Sequence, residues 1–123
     1  MELIYASEKV KEWCTSVKAA KKLFHGDAVL SVSLLSRINA LRNAENLRDI
    51  IVQPTFHFHK LKNKKSRNLE GYFAIDVKSR KEPWRIILQP LDENEDPFDS
   101  SNIDQIAAIV KIVEISEVSR HYE

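Results

Sequence analysis

The sequence predicts an α+β fold: an N-terminal strand, an antiparallel helix pair, then a mostly antiparallel twisted sheet with the helices packed on one face. Three observations carry this. Apolar residues recur at three- and four-residue spacing through the first third of the chain, the period of a helix with one buried face. Short runs rich in β-branched and aromatic residues, divided by polar turns, occupy much of residues 56–115, as successive strands would. Finally, 123 residues with 43% apolar composition fit one domain, residues 1–123, with its own core.

Taken in order, residues 3–6 read as a short strand. Ser7 is a good helix N-cap, with Glu8 in the first turn, where a carboxylate meets the positive end of the helix dipole. Val10, Trp13, Cys14, Val17 and Ala20 then keep helical spacing up to Leu23 and Phe24. His25-Gly26-Asp27 breaks that helix, and Asp27 can cap a second one, which the short connection makes antiparallel to the first. Its stripe is Leu30, Leu34, Leu35, Ile38 and Leu41, fading near residues 43–46. Residues 47–53 form a connector anchored by Ile50 and Ile51 and stopped by Pro54. Strands are expected at 56–61, 71–77, 84–89 and 110–115. Between the last two lie an acidic loop at 90–102 and a segment, 103–108, that reads as either a helical turn or extended chain.

Composition excludes several function classes. Only two glycines are present, so there is no Gly-rich phosphate loop, and no Cys/His set has zinc-site spacing. The single cysteine, Cys14, allows no internal disulfide and fits the reducing cytoplasm. No stretch is long and apolar enough to span a bilayer, and the N-terminus lacks the pattern of a secretory signal. Net charge is only +1, but it conceals two patches of opposite sign. Lys60, Lys62, Lys64, Lys65 and Arg67 cluster without an acid, while Asp92, Glu93, Glu95, Asp96 and Asp99 cluster without a base. Local potential, more than net charge, decides how a polyanion binds.

The segment 56–67 carries the most chemistry. As a strand it would place His57, His59 and Leu61 on one face, with Phe56, Phe58, Lys60 and Lys62 on the other. A charge run like 60–67 is as often a solvated loop as a binding surface. Its functional reading is contact with phosphates, which cations neutralise. Arg85 follows Trp84 at the head of an apolar strand; its planar fork suits either a structural ion pair or bidentate phosphate binding. A histidine on a strand is more often structural than catalytic, yet two within three residues beside cations suit proton transfer near neutral pH. His121-Tyr122 is a fourth candidate, since a chain end beside a final strand can reach into a cleft. Trp13, Cys14 and the leucine stripes read as core.

Four segments together resemble the RelE/ParE superfamily of type II toxins, specifically its HigB-like branch, once described as plasmid-maintenance killer proteins. They are His59-Lys60-Leu61-Lys62, Gly71-Tyr72-Phe73-Ala74-Ile75, Trp84-Arg85-Ile86, and Val113-Glu114-Ile115 followed by His121-Tyr122. The resemblance implies a RelE/ParE-like toxin domain that enters the ribosomal A site and cuts translated mRNA without a metal or other cofactor. In such enzymes the 2′-hydroxyl attacks the adjacent phosphate and the 5′-oxygen leaves. It implies proton transfer by His59, phosphate contact by Lys62, charge stabilisation by Arg85, base stacking or orientation by Tyr122, and assistance from His121. Lys60, Lys64, Lys65 and Arg67 would then meet RNA. Asp76 stands where many relatives place a basic residue, which either weakens the phosphate site or moves that task to Lys78 or Arg80. The stretches 64–70 and 92–99 are longer than the family's turns.

The resemblance also implies partners: a cognate antitoxin, commonly with a helix-turn-helix domain, the ribosome with its mRNA, and promoter DNA bound mainly through the antitoxin. No membrane partner is expected. Two other readings stay open. One is a ParE-like toxin that inhibits DNA gyrase without catalysis, since one fold can host both activities. The other is a non-toxic RNA-binding module.

Overall fold

The computed structural model describes residues 1–63, 68–98 and 102–120. The fold is α+β, built on a five-stranded open sheet. Strand β1 (Glu2–Tyr5) is followed by helices α1 (Glu8–Thr15), α2 (Val17–Leu23) and α3 (Ala28–Asn43). A short helix α4 (Arg48–Ile51) and a 3-10 turn (Pro54–Phe56) lead to β2 (His59–Lys60), β3 (Phe73–Asp76) and β4 (Arg85–Leu91). Helix α5 (Ile103–Ile106) and a second 3-10 turn (Ala107–Ile109) precede β5 (Ile112–Ser119).

The strand order is β1-β5-β4-β3-β2. Three pairings are antiparallel, but β1 runs parallel to β5, with Leu3 opposite Val113. The sheet is therefore mixed, which corrects the expectation of a mostly antiparallel one. The helices between β1 and β2 carry the chain away from β1, so β1 meets its partner only when β5 arrives from the far end of the sequence.

The first helical segment also differs from expectation. Its apolar period runs through residues 10–20 unbroken, yet the backbone opens at Ser16, which is extended (φ −128°, ψ 122°). Ser16 ends α1 and caps α2 by accepting a hydrogen bond from the Ala19 amide at 3.2 Å. A serine that can cap competes with helix continuation, and the break lets both short helices lie on one core. The expected helix pair is thus three helices in series. Helix α2 ends where Gly26 takes φ 89° and donates to the Lys21 carbonyl, a backbone turn that glycine makes cheaply. Asp27 then caps α3 through the Leu30 amide, 3.0 Å away.

The core lies between these helices and one face of the sheet. Leu34, Ile38 and Leu41 of α3 are fully buried with Ile75, Ile86, Leu88, Val113 and Ile115. Each such aliphatic side chain contributes about 1.5–3 kcal/mol by leaving water. In β5, Ile115 and Val118 stand three apart, out of step with a strict alternation. A bulge resolves this: Ile87 faces Glu117 and Leu88 faces Ile115, leaving Ser116 unmatched, so both apolar residues reach the core. On the other face, Leu61, Leu69, Ala74 and Ile87 form a smaller apolar cluster with Tyr72 against it. Two layers therefore flank the sheet unequally: helices cover one face, and the second carries this smaller apolar cluster beside a group of polar side chains.

Candidate functional site

The polar cluster sits on that second face. Cross-strand partners share a face, so the register groups His59 with Ala74 and Ile87, and Asp76 with Arg85 and Ser119. Asp76 is the centre. It is 1% exposed, and a buried carboxylate must be paired. Arg85 places Nε 3.2 Å from Asp76 Oδ1, an ion-pair contact bent away from hydrogen-bond geometry. His57 Nδ1 donates to the same oxygen at 3.1 Å.

His57 gets there by an unexpected route. The expected strand over 56–61 shrinks to His59–Lys60, because residues 54–56 form the 3-10 turn and His57 takes a left-handed backbone, φ 51°. Such a conformation costs roughly 1–2 kcal/mol outside glycine, although histidine visits it more readily than most residues. Parity along a strand thus does not govern His57. Its ring nonetheless meets that of His59, with centroids 4.5 Å apart.

The hydrogen bonds assign the protons. Arg80 Nη2 lies 3.1 Å from His57 Nε2, and a guanidinium can only donate. Nε2 is therefore the acceptor, and the neutral imidazole carries its proton on Nδ1, facing Asp76. His59 Nδ1 donates to the His57 carbonyl at 2.7 Å, so its lone pair is on Nε2. That atom is buried and has no partner among the described residues.

Arg85 is almost fully engaged by the protein. Beyond Asp76, Nη1 donates to the carbonyls of Glu82 and Trp84, and Nη2 to that of Arg80. It closes the 80–84 turn and leaves about one of its five donors for a ligand. Arg37 of α3 braces the same end of β3, donating to the carbonyls of Val77 and Lys78 and lying 4.7 Å over the Phe56 ring. Burial pulls its guanidinium below the ordinary arginine value, an effect the Asp76 charge opposes.

Lys60 and Lys62 are exposed on the edge of the sheet. With Leu61, Asn63 and Glu70 they line an open depression of about 400 Å³. Asn63 Oδ1 accepts from the Leu69 amide at 2.8 Å, tying the two ends of the basic loop together. Of the residues singled out in the sequence, the structure brings His59 and Arg85 to one face, with Lys60 and Lys62 at its edge. Lys64, Lys65, Arg67, His121 and Tyr122 lie outside the described residues. His57, which the sequence offered beside His59 for proton transfer but which the family resemblance passed over, and Arg80, named there as an alternative phosphate contact, both enter the cluster. The signal for both was Asp76: an acid in the middle of an apolar strand needs buried partners, and the cations and imidazoles nearby could supply them.

Among the described residues, no set of three His, Cys, Asp or Glu side chains is placed to hold a metal ion, and no helix is long and apolar enough to cross a membrane. A scan against protein-family models found no match to this chain, and searches of curated proteins and of solved structures found none either.

Proposed function

We propose that the chain is the toxin of a type II toxin-antitoxin pair, a ribosome-dependent endoribonuclease that cuts translated mRNA by attack of the 2′-hydroxyl. The observation that carries this reading is the gathering of two imidazoles, ring centroids 4.5 Å apart, with Arg80 against one of them and exposed Lys60 and Lys62 on the adjoining edge of the sheet. Cleavage of this kind needs a proton acceptor at the 2′-hydroxyl, cations on the phosphate, and a rigid support. The 2′-oxygen forms a bond to phosphorus as its proton passes to an imidazole. The bond from phosphorus to the 5′-oxygen breaks, and that oxygen takes a proton from Lys62 or from water. The products are a 2′,3′-cyclic phosphate and a 5′-hydroxyl. The element order, with helices between the first two strands and β1 beside β5, supports a RelE/ParE-like arrangement. An antitoxin encoded nearby, acting in the cytoplasm and carrying the promoter-binding domain, completes the proposal.

Induced expression in bacteria tests this. Growth should stop within one or two generations, with transcripts cut inside translated regions and ending in cyclic phosphates. Arrest with intact transcripts and inhibited gyrase supercoiling would replace the nuclease by a gyrase inhibitor. Harmless strong expression would leave a non-toxic RNA-binding module.

A further inference from the structure

We propose that His57 is the proton acceptor of this site, and that Arg80 is a cover on it which a phosphodiester removes. The inference rests on the nuclease reading for its chemistry, but its geometry stands apart. Asp76 is buried and holds His57 Nδ1–H at 3.1 Å, which fixes the tautomer with the lone pair on Nε2. This is the arrangement in which a carboxylate orients an imidazole for general-base work. Asp76 is itself anchored by Arg85, so the pair has a rigid back. His57 keeps 28% of its side chain exposed, whereas the free nitrogen of His59 is buried. The left-handed backbone at His57 adds a second sign, because strained conformations persist where the surroundings impose them and concentrate at working sites.

In this state the lone pair is occupied. Arg80 donates to Nε2, and a lone pair engaged by a cation does not take up a proton. Arg80 is exposed, and its contact to a neutral nitrogen is weaker than a charge-assisted pair with a phosphate oxyanion. A bound phosphodiester therefore draws the guanidinium into bidentate contact and leaves Nε2 open beside the 2′-hydroxyl. The proton then moves from that hydroxyl to Nε2 as the 2′-oxygen bonds to phosphorus and the 5′-oxygen departs with a proton from Lys62 or water. One residue thus binds the substrate and releases the base. His59 serves as a positioning residue through its bond to the His57 carbonyl. Among the described residues, the charged and titratable groups facing His57 are Asp76 of β3, Arg80 of the following turn, and His59 of β2, with Arg85 and Arg37 acting through Asp76.

Two measurements on the full chain test this. In the first, wild type and His57→Asn cleave ribosome-bound mRNA under single-turnover conditions from pH 5 to 9. The asparagine amide can still donate to Asp76 but offers nothing in place of Nε2. Cleavage should fall about 100-fold or more, and the acidic limb of the wild-type pH profile should vanish. A variant that cleaves within about threefold of wild type and keeps that limb overturns the assignment. In the second, imidazole ¹⁵N spectra follow His57 as inorganic phosphate is added. The wild type should show the Nδ1–H tautomer and a phosphate-dependent shift at Nε2, and Arg80→Ala should start near the phosphate-bound position. An Nε2 signal that is the same with and without saturating phosphate overturns the cover. A wild-type chain that cleaves no RNA defeats the nuclease reading, and the spectra still decide whether the imidazole is covered.

Discussion

Replacing Arg85 by methionine strips a guanidinium from a buried pair while keeping most of the side chain's stem. Asp76 is 1% exposed and Arg85 9%, and the charges approach to 3.2 Å. At an effective dielectric of about 20 the gross attraction at that distance is about 5 kcal/mol, and the hydration that both groups give up offsets much of it. The substitution does more than delete the net gain. It leaves a buried carboxylate with His57 as its remaining hydrogen-bonded side-chain partner among the described residues, and takes a donor from the carbonyls of Arg80, Glu82 and Trp84, of which the last still accepts from the Val77 amide. A stranded buried charge of this kind costs about 3–5 kcal/mol, a large share of a domain stability of about 5–15 kcal/mol. Adding Asp76→Asn removes the charge and should recover about 2 kcal/mol. Urea unfolding of the four chains in this cycle, followed by tryptophan fluorescence, reads the coupling directly, since Trp84 adjoins the turn. Losses below about 1 kcal/mol for Arg85→Met, or single losses that merely add, would falsify the idea that Asp76 depends on Arg85.

Three further outcomes are expected. Ser16→Ala should cost about 1 kcal/mol in urea unfolding by removing the α2 cap; an unchanged midpoint would mean that packing alone sets the break. Lys60→Ala with Lys62→Ala should weaken RNA binding and flatten its salt dependence by about 0.7 log units per lost phosphate contact, so an unchanged slope removes both from the interface. Burial pushes the Cys14 thiol up to about 12, above its ordinary value. Its contribution to stability is then complete below pH 9 and lost as pH rises towards 12, because the unfolded chain ionises first. Between pH 8 and 10 wild type should lose about 1 kcal/mol more than Cys14→Ala, and parallel curves would contradict this.

Much of the fold was legible because local patterns and tertiary packing agree there. The stripe Leu30, Leu34, Ile38 and Leu41 became the buried face of α3, and the runs around Ile75, Ile86 and Ile115 became β3, β4 and β5. The misses have physical causes. Ser16 keeps the helical apolar period on both sides, so periodicity cannot reveal that its side chain ends one helix and begins another. Phe56 to Leu61 alternates like a strand, but Pro54 starts a 3-10 turn and His57 flips to positive φ. The parallel β1–β5 pairing depends on which edge stays open after the meander forms, which no local signal encodes. At the site, His59, Lys60, Lys62 and Arg85 stood out by type and neighbourhood. Asp76 read as a missing cation, whereas in the structure it is the anchor on which His57 and Arg85 converge.

The neighbourhood of β1 and β5 has a consequence for how the chain folds. Leu3 pairs with Val113, about 110 residues later, and during synthesis at about 5–20 residues per second β1 waits on the order of 5–20 s for its partner. The helices and the β3–β4 hairpin close over short loops and can assemble while β1 has nothing to pair with. Only the arrival of β5 docks both strands together, burying Val113, Ile115 and Val118 in one step. Contacts of such long separation slow folding relative to a helical domain of the same size. The molecule's last closing event is therefore the seam joining the earliest and latest strands.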